Sequence, residues 1–279
     1  MSIWFTENQT ENFGITMKVN RTLHVEQTEF QKLDMIETEE WGNMLLLDDM
    51  VMTSQRDEFV YHEMVAHVPL FTHPNPENIL VVGGGDGGAI REVLKHPSVK
   101  KATLVDIDGK VIEYSKKFLP EIAGMLDDPR VDVQVGDGFM HIAQSENEYD
   151  VIMVDSSDPI GPAEVLFSEE FYVAMKKSLR ADGIAVTQSE SFYYHGDIVK
   201  RLTGYAKKHY AVSGYYFTVV PTYPSGTIGF TFCSKKYHPL ADLNEARAKA
   251  LEPELTYYNA AIHRGSFALP NFISRRIDL

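Results

Sequence analysis

The feature that most constrains the fold is a repeated order of apolar strand, turn and helix between residues 79 and 234. Strands that are separated by helices run parallel, because each helix carries the chain back across the sheet. The last two strand-like segments are too close together for a helix between them, so we expect an antiparallel final pair. This order predicts an α/β fold with a doubly wound sheet. The segments are 79–88, 101–108, 131–138, 149–158 and 183–191, followed by 213–220 and 226–234.

The N-terminal part of the chain has a different pattern, with short alternating or β-rich segments. Asp48 and Asp49 lie between two apolar runs and predict a tight hairpin turn. We therefore expect a small antiparallel β domain over residues 1–56 and an α/β domain over residues 57–279. The β-rich segments are 13–19, 22–30, 31–38 and 43–54.

A helix is predicted between these two regions. Apolar residues recur at helical spacing over residues 57–71. Pro69 and Pro74 are expected to bound this helix, because proline disrupts a helix interior.

The charge of the chain limits the classes of partner. The 26 Lys and Arg residues against 40 Asp and Glu residues give a net charge of −14. Basic clusters bind phosphate backbones, so we expect no nucleic-acid partner. A negative field concentrates cationic ligands near the surface, although acidity also simply keeps a protein soluble.

Cysteine content and hydropathy point to a compartment. Cys233 is the only cysteine, so an intrachain disulfide is excluded and a reducing cytoplasm fits. This residue lies in an apolar run and is expected in the core. No apolar stretch approaches the ~18–20 residues that span a bilayer, and no signal peptide is evident. The sequence therefore predicts a cytoplasmic location without a membrane partner.

Acidic residues occupy the carboxyl ends of the predicted parallel strands. In a doubly wound sheet these ends meet along one crevice, and ligands bind there. We expect the carboxylates to line a single cleft, which is the most informative feature of the sequence. They are Asp86, Asp106, Asp108, Asp137, Asp155 and Asp158.

Gly83, Gly85 and Gly88 form a G-x-G-x-x-G turn after a strand and before a helix. Asp106 ends the next strand, where a carboxylate can accept hydrogen bonds from both ribose hydroxyls. Together these residues predict a nucleoside site. The alternative is a turn whose glycines serve only the tight strand-to-helix geometry.

Asp86 separates the candidate nucleoside ligands by charge. It would repel a pyrophosphate on this turn by roughly 4 kcal/mol per charge pair, at ~4 Å and an effective dielectric of about 20. A dinucleotide is therefore disfavoured, and we expect a neutral or cationic group beside Asp86. Alternatively, Asp86 only caps the following helix.

The Asp-Gly pairs of the crevice have two interpretations. Asp137 before Gly138 can accept a hydrogen bond from an adenine amino group or can form a turn. For Asp108 before Gly109, a turn and helix N-cap is favoured over ligand binding.

Asp155 and Asp158 lie three residues apart at a strand end, before Pro159. They can form Asx turns in a loop. Their position in the crevice, facing Asp86, favours a pair that binds a cation and handles protons.

In order and spacing, the motifs of the chain resemble those of spermidine synthase, in the polyamine aminopropyltransferase family. The resemblance extends roughly from Trp4 to Phe272. It implies an N-terminal β domain and a Rossmann-like domain of the class I methyltransferase type. It also implies transfer of the aminopropyl group of decarboxylated S-adenosylmethionine to putrescine, which yields spermidine and methylthioadenosine. The motifs are DEFVYHEM (57–64), VVGGGDGG (81–88), VDID (105–108), GDGF (136–139), VDSSDPIGP (154–162), TQSES (187–191) and PTYPSGTIGF (221–230).

The resemblance implies roles for individual positions. Asp155 matches the proposed base, and Asp158 matches an acid that binds the diamine. The nucleoside site is matched by Gln31, Asp106, Asp137, Gly138 and Pro162, beside the turn glycines Gly83 and Gly85. The groups that face the diamine and the aminopropyl chain are Tyr61, His62, Asp86, Asp158, Gln188 and Tyr223.

The chemistry of this reaction fits the acidic crevice. Decarboxylated S-adenosylmethionine carries a sulfonium and an ammonium but lacks the carboxylate of its parent, so Asp86 would select it by the sign of its charge. A sulfonium is already a good leaving group, so we expect neither a metal nor a prosthetic group. The decarboxylated donor would act as a co-substrate.

Several alternatives stay open. One is an S-adenosylmethionine-dependent amine N-methyltransferase, another is an aminopropyltransferase for a different di- or polyamine, and a third is a non-catalytic polyamine-binding protein. A nicotinamide dehydrogenase is opposed by Asp86. Asp155 can act as the base or can hold the amine and accept its proton only as the bond forms. Self-association as a dimer or tetramer through the β domain is implied by the resemblance alone.

Overall fold

The computed structural model describes residues 3–159 and 161–277, which contain two β-sheets. The first sheet has five strands in the order β1-β2-β3-β4-β5, and neighbouring strands are antiparallel. This confirms the predicted antiparallel β region. The strands are β1 (Ile3–Thr10), β2 (Phe13–Gln27), β3 (Lys32–Thr38), β4 (Gly42–Leu47) and β5 (Met50–Ser54).

The hairpin between β4 and β5 turns at the predicted residues. Leu47 pairs with Met50, and Asp48 and Asp49 between them have φ of 48° and 62°. Positive φ at both central residues gives a turn whose twist matches that of the two strands, and Asp tolerates this conformation better than most residues.

Strand β2 corrects one prediction, because it is continuous where the sequence predicted two segments, 13–19 and 22–30. Its N-terminal half pairs with β1 and its C-terminal half with β3. The register with β3 shifts between Val19 and Arg21 and again between Thr22 and His24. Such irregularities bend a strand without ending it, which blurs the alternation that sequence analysis relies on.

Helix α1 (Glu58–Thr72) corrects a second prediction, because Pro69 lies inside it and does not bound it. Proline lacks an N–H, so the hydrogen bond to the carbonyl four residues earlier is lost while the helix continues for another turn. The helix ends where the N–H of His73 donates to the carbonyl of Pro69. Almost every residue of α1 is buried, and this dense packing offsets the lost hydrogen bond.

The second sheet has seven strands in the order β11-β12-β10-β9-β6-β7-β8. Strands β10, β9, β6, β7 and β8 are parallel, and β12 is antiparallel to both β10 and β11. The predicted doubly wound sheet with an antiparallel final pair is confirmed. The strands are β6 (Asn78–Gly83), β7 (Lys101–Asp106), β8 (Val131–Val135), β9 (Tyr149–Asp155), β10 (Leu179–Gln188), β11 (Val212–Thr218) and β12 (Ile228–Ser234).

The strand order reverses direction between the neighbouring strands β6 and β9. The candidate site lies at this reversal. From β6 the chain first moves outward to β7 and β8, and it then returns to the other side of β6 as β9. Gly83 at the end of β6 therefore pairs with Asp155 at the end of β9. Ligands of doubly wound sheets bind at such a reversal, because the loops on either side diverge and leave a crevice.

Helices cover both faces of this sheet. Asp108 and Asp137 are the N-caps of α3 and α5, and their side chains accept hydrogen bonds from backbone N–H groups of the first turn. Three helices follow β12, in a region for which the sequence analysis made no prediction. The remaining helices are α2 (Gly88–Leu94), α3 (Gly109–Phe118), α4 (Pro120–Ala123), α5 (Gly138–Gln144), α6 (Glu169–Ser178), α7 (Gly196–His209), α8 (Glu245–Leu251), α9 (Ala260–Ser266) and α10 (Asn271–Ile277), with 3-10 turns at Gly124–Asp127, Gly161–Phe167 and Glu252–Glu254.

The core is divided by the sheet into two layers. On β6, Ile79 and Val81 pack in the layer formed by α1 and α2, whereas Leu80 and Val82 pack in the layer formed by α6 and α7. Alternate residues of a strand face opposite sides, so a strand covered on both faces is apolar throughout. Cys233 on β12 is buried in the second layer, as predicted. Among the helices described, none has the length and apolar character that crossing a membrane requires.

Candidate active site

The carboxyl ends of the parallel strands open into one cavity of about 270 Å³. The β4–β5 turn, the first turn of α1 and the segments after β10 and β11 close its other sides. The cavity brings together every residue to which the sequence analysis gave a role in the site, and these roles stay predictions. These residues are Gln31, Tyr61, His62, Gly83, Gly85, Asp86, Asp106, Asp137, Gly138, Asp155, Asp158, Pro162, Gln188 and Tyr223. The expectation that Asp108 lines the same cleft is wrong, because its carboxylate caps α3 and does not line the cavity.

The glycine turn after β6 allows a close approach between neighbouring segments. Gly83 and Gly84 have φ of 76° and 67°, which favours glycine. A Cβ added to Gly83 would lie 2.2 Å from the carbonyl oxygen of Asp155, and one on Gly85 would lie 2.7 Å from Oδ2 of Asp106. The geometry alone therefore requires glycine at these positions, whether or not a ligand binds.

Asp106 at the end of β7 is fixed by the backbone on both sides. Oδ2 accepts a hydrogen bond from the N–H of Gly85 at 2.9 Å, and Oδ1 accepts one from the N–H of Asp108 at 2.8 Å. Burial raises the pKa of Asp106 to about 6, although both backbone hydrogen bonds oppose this shift. The carboxylate is thus rigidly held, and each oxygen keeps a second lone pair for a ligand hydroxyl.

Gln31 lines the cavity and is held in place by a hydrogen bond to Asp108, the N-cap of α3. Its Nε2 donates to Oδ2 of Asp108 at 3.1 Å, and the hydroxyl of Thr28 donates to the same oxygen at 2.8 Å. Oδ1 of Asp108 caps the helix by accepting from the N–H of Lys110 at 3.0 Å. The N-cap interpretation of Asp108 is therefore confirmed, and the same carboxylate attaches the first sheet to the second.

Asp137 acts as an N-cap, with Oδ1 accepting from the N–H groups of Phe139 and Met140 at 2.8 and 3.1 Å. Gly138 allows β6 to approach, because a Cβ there would lie 2.4 Å from Cγ1 of Val82. The turn interpretation of this pair holds, and contact with an adenine group stays a prediction. Pro162, in the 3-10 turn after β9, also lines the cavity.

His62 lies between two carboxylates. Its Nδ1 is 2.5 Å from Oε2 of Glu58, one helical turn earlier, and its Nε2 is 3.4 Å from Oδ2 of Asp86. Arg91 on α2 donates to both oxygens of Glu58 at 2.8 Å. Burial lowers the pKa of His62, but Asp86 and Glu58 outweigh it and hold this pKa well above its usual value. The imidazole is therefore a buried cation.

Asp86 uses its two oxygens differently. Oδ1 accepts a hydrogen bond from the N–H of Gly88 at 2.8 Å, which stabilises the start of α2, while Oδ2 faces His62. Burial raises the pKa of Asp86, but the imidazolium of His62 dominates and keeps the pKa below its usual value. Asp86 is thus an anion that both caps the turn and faces the cavity.

Asp155 is an acid of the site with a raised pKa. Its Oδ2 is buried and has no hydrogen-bond partner among the described residues. Burial, followed by the negative charge of Asp86, raises the pKa of Asp155 to about 6, while His62 and Tyr61 lower it. A buried carboxylate oxygen without a partner is costly, so this atom is available to a hydrogen-bond donor on a ligand.

His62, Asp86 and Asp155 form a compact cluster. One ligand atom from each lies within 4.8 Å of the others. The two carboxylates can accept hydrogen bonds from an ammonium group, whereas the protonated imidazole has no lone pair left for a metal ion. The expectation that this site takes no metal stays a prediction.

Two tyrosines pack around the cluster. The rings of Tyr61 and Tyr223 are 6.3 Å apart with an interplanar angle of 65°. The hydroxyl of Tyr223 donates to the carbonyl of Met52 on β5 at 3.0 Å. Burial, followed by the charge of Asp155, raises the pKa of both hydroxyls well above the usual value, so both stay neutral. Neutral aromatic rings beside the acids leave room for a cation or an aliphatic chain.

A second acidic cluster lies in the same cavity, and sequence reasoning found only part of it. Asp158 and Gln188 were predicted, whereas Glu7, Glu190 and His195 were missed. Burial raises the pKa of Asp158 to about 7, and the charge of Glu190 adds to this shift. Burial also raises the pKa of Glu7 to about 7.

The reasons for the missed residues differ. Glu190 follows the carboxyl end of β10, so the strand-end rule that selected the other acids also points to it. Glu7 lies on β1, where no strand was predicted, and its side chain reaches the cavity because β1 and β5 are close in the folded sheet. Oε2 of Glu7 accepts from the N–H of Val51 at 2.9 Å. Local spacing contains no signal for that contact.

Comparison with known proteins identifies the family. Residues 58–245 match the family model described as the spermine/spermidine synthase domain, and residues 3–55 match that of the spermidine synthase tetramerisation domain. The polyamine aminopropyltransferase of Bacillus subtilis (strain 168) is 64% identical over 272 residues, which cover 98% of each chain. That of Moorella thermoacetica is 48% identical over 277 residues, which cover 99% of this chain and 96% of the relative.

Two solved structures have the same fold as this chain. A spermidine synthase in complex with the transition state analogue AdoDATO has a TM-score of 0.97 and 41% identity, covering 99% of this chain and 95% of that chain. The spermidine synthase from Thermotoga maritima has a TM-score of 0.94 and 40% identity, covering 99% of this chain and 94% of that chain. The predicted Rossmann-like fold is confirmed, and the chain belongs to the spermidine synthase family of polyamine aminopropyltransferases and is a transferase.

Proposed function

We propose that the protein transfers the aminopropyl group of decarboxylated S-adenosylmethionine to putrescine and releases spermidine and methylthioadenosine. The observation that carries this proposal is the cluster of His62, Asp86 and Asp155, with ligand atoms within 4.8 Å of one another. The unpartnered oxygen of Asp155 and the anionic Asp86 favour an ammonium group at this point. Both substrates carry such groups.

The carboxyl end of β7 suits the nucleoside part of the donor. Asp106 is held by two backbone hydrogen bonds and keeps free lone pairs for the ribose hydroxyls. Asp137, Gly138 and Pro162 would contact the adenine, and Gln31 would close the edge of this part of the cavity. The decarboxylated donor is then a co-substrate, without a prosthetic group.

Asp86 supports the choice of the decarboxylated donor. Its carboxylate lies in the cavity beside His62, and the aminopropyl ammonium would bind next to it, while the diamine nitrogen would bind at Asp155. Intact S-adenosylmethionine would place a carboxylate near this anion. Like charges at ~4 Å and an effective dielectric of about 20 repel by roughly 4 kcal/mol, which favours the donor that lacks the carboxylate.

The proposed reaction is a direct in-line displacement. The lone pair of a putrescine nitrogen forms a bond to the aminopropyl carbon attached to sulfur. The C–S bond breaks, and its electron pair stays on sulfur as a neutral thioether. The residues of the cavity would hold the nitrogen about 3–3.5 Å from that carbon.

Asp155 is the proposed base. A free alkyl ammonium has a pKa of about 10, so one proton must leave the nitrogen before or during attack. The raised pKa of Asp155, about 6, makes this carboxylate a better proton acceptor than an ordinary aspartate. Gln188, Tyr61 and Tyr223 would surround the diamine beside it.

We also propose that the chain self-associates through residues 1–56, as a dimer or tetramer, and that residues 57–279 form the catalytic domain. The match of residues 3–55 to a tetramerisation domain supports the first part. Ile3 and Trp4 on β1 each expose 59% of their surface, which is typical of an interface. Sedimentation of the Trp4→Glu variant should show a smaller assembly, and unchanged assembly would contradict this assignment.

The function is tested by supplying putrescine with each sulfonium donor and weighing the products. The decarboxylated donor should yield spermidine together with methylthioadenosine. A gain of one methyl group from intact S-adenosylmethionine would instead indicate an amine N-methyltransferase. Binding of putrescine without release of methylthioadenosine would indicate a polyamine-binding protein.

A further inference from the structure

Asp57 immediately precedes α1, at the position where an aspartate usually caps a helix with its own side chain. Its carboxylate makes no such hydrogen bond to α1. Instead, Oδ1 accepts from the hydroxyl of Ser54 at 2.7 Å, and Oδ2 accepts from the N–H and the hydroxyl of Thr222 at 2.9 and 2.7 Å. The side chain therefore connects the end of β5 to a segment that lies 165 residues later in the chain.

Thr222 belongs to the β11–β12 loop, residues 219–227, which connects the last two strands of the second sheet. Hydrogen bonds within this loop make it compact. The N–H of Tyr223 donates to the carbonyl of Val220 at 3.1 Å, and the N–H of Gly226 donates to the carbonyl of Tyr223 at 2.7 Å. On the side of β5 and α1, the loop is held by Asp57 and by the hydroxyl of Tyr223, which donates to the carbonyl of Met52 at 3.0 Å.

The contact between Asp57 and Thr222 is buried, because the two residues expose only 5% and 1% of their surface. Hydrogen bonds to an ionised carboxylate are stronger than those between neutral groups. If the carboxylate is lost, the N–H of Thr222 stays buried without its acceptor, which is costly. The loop is therefore expected to move when this anchor is removed.

The same anchor lies beside Tyr223. Asp57, Thr222 and Tyr223 all line the cavity. Burial, followed by the charges of Asp155 and Asp57, raises the pKa of the Tyr223 hydroxyl well above its usual value, which agrees with the proximity of these groups. A shift of the loop would therefore displace the ring of Tyr223 from its place 6.3 Å from that of Tyr61.

We propose that Asp57 is a positioning residue for the aminopropyl transfer, because it fixes the β11–β12 loop and through it the ring of Tyr223. The inference rests on the proposed function, in which Tyr223 and Tyr61 surround the diamine beside Asp155. Asp57 acts through the loop, since Ser54 and Thr222 already engage its carboxylate. The reacting atoms must be aligned at about 3–3.5 Å, so a displacement of about 1 Å in the groups around them lowers the rate.

The first test is Asp57→Asn, which keeps the shape of the side chain but replaces one acceptor oxygen by an NH2 group. At a temperature well below the melting temperature of every variant, kcat/KM for putrescine should fall about 10- to 100-fold. Thr222→Val, which removes only the hydroxyl, should show a smaller loss. Thr222→Ser keeps the hydroxyl and should stay within about 3-fold of the unchanged protein. Unchanged kinetics in Asp57→Asn would overturn the proposal.

A matched control is Asp150→Asn, because Asp150 is also a buried carboxylate that holds backbone. Its Oδ2 accepts from the N–H groups of Glu77 and Asn78 at 2.9 and 2.8 Å, and it is not among the described residues that line the cavity. This variant should melt at a lower temperature but keep kcat/KM. Equal losses of kcat/KM in Asp57→Asn and Asp150→Asn would show a merely structural role and overturn the proposal.

A double-mutant cycle tests whether Asp57 acts through Tyr223. The Tyr223→Leu variant lacks the aromatic ring and its hydroxyl. In that background, Asp57→Asn should lower kcat/KM by less than about 3-fold, because the group that it positions is already gone. If the full 10- to 100-fold loss persists in the Tyr223→Leu background, the assigned route through Tyr223 is wrong.

Amide hydrogen exchange separates this inference from the proposed function. In Asp57→Asn, the N–H groups of Thr222, Tyr223 and Gly226 should exchange at least about 10-fold faster, whereas Asp150→Asn should leave them unchanged. If the unchanged protein makes no spermidine, the proposed function fails whatever the exchange rates are. If spermidine forms but these rates in Asp57→Asn match those of the unchanged protein, the role of Asp57 is overturned and the function stands.

Discussion

Nδ1 of His62 lies 2.5 Å from Oε2 of Glu58, and Arg91 donates to both oxygens of that carboxylate at 2.8 Å. Glu58 therefore fixes the orientation of the imidazole and directs Nε2 towards Asp86. Arg91 extends the network to Glu92 through its Nε at 2.8 Å, and these two residues do not line the cavity. The cluster of His62, Asp86 and Asp155 is supported by a buried ion-pair network on α1 and α2.

The Glu58→Gln variant should change the titration of His62. Loss of this carboxylate removes one of the two charges that raise the pKa of His62, so the pKa should fall by at least about one unit. The measurement is an NMR titration of the imidazole, with the exposed Glu113→Gln as the control. An unchanged pKa in Glu58→Gln would contradict the assigned network.

The Asp155→Asn variant should lose turnover without losing its fold. Removing a general base costs at least about 100-fold in kcat. The amide is neutral, so it removes both the cost of burying a charged carboxylate and the repulsion from Asp86, the two causes that raise the pKa of Asp155. The melting temperature should therefore not fall. Steady-state kinetics with a thermal melt provide the check, and near-normal turnover would refute the assignment of the base.

The Asp158→Asn variant should be more stable than the unchanged protein at pH 8. The pKa of Asp158 is about 7 in the fold against an ordinary 3.8, so the folded protein binds more protons than the unfolded chain between these values. As pH rises from about 3.8 to about 7, Asp158 therefore lowers the free energy of unfolding. Asparagine does not ionise, so the variant avoids this decrease in stability.

Melting curves at pH 5 and pH 8 measure this effect. Each kcal/mol gained should raise the melting temperature by about 2–4 °C for a chain of this size, with the larger gain at pH 8. The variant should also lose the stabilisation that putrescine provides. If the variant melts at a lower temperature than the unchanged protein at pH 8, the ionised carboxylate of Asp158 stabilises the unliganded fold, and this prediction is contradicted.

The strand-end rule explains how much of the site could be predicted. Asp86, Asp106, Asp137, Asp155 and Asp158 share one cavity because the carboxyl ends of parallel strands meet at one edge. That rule needs only the order of strands and helices, which hydrophobic periodicity reveals. Position and charge alone predicted a ribose contact for Asp106 and a neutral or cationic neighbour for Asp86, whereas the roles of Asp155 as base and Asp158 as diamine-binding acid came from the resemblance to the family.

Contacts between distant segments could not be predicted in the same way. Glu7 reaches the cavity through β1, and Arg91 meets Glu58 across two packed helices. Charged pairs of this kind have no sequence period, because they depend on how the elements pack. Pro69 was misjudged for a related reason, since the burial of α1 offsets the hydrogen bond that proline removes.

The central claim is that this cavity is acidic because its ligands are positively charged and carry no carboxylate near Asp86. The most direct test is a calorimetric titration of the unchanged protein with each sulfonium donor. We predict that decarboxylated S-adenosylmethionine binds about 100-fold or more tightly than S-adenosylmethionine, and that Asp86→Asn reduces this ratio. Equal or tighter binding of intact S-adenosylmethionine would contradict the account.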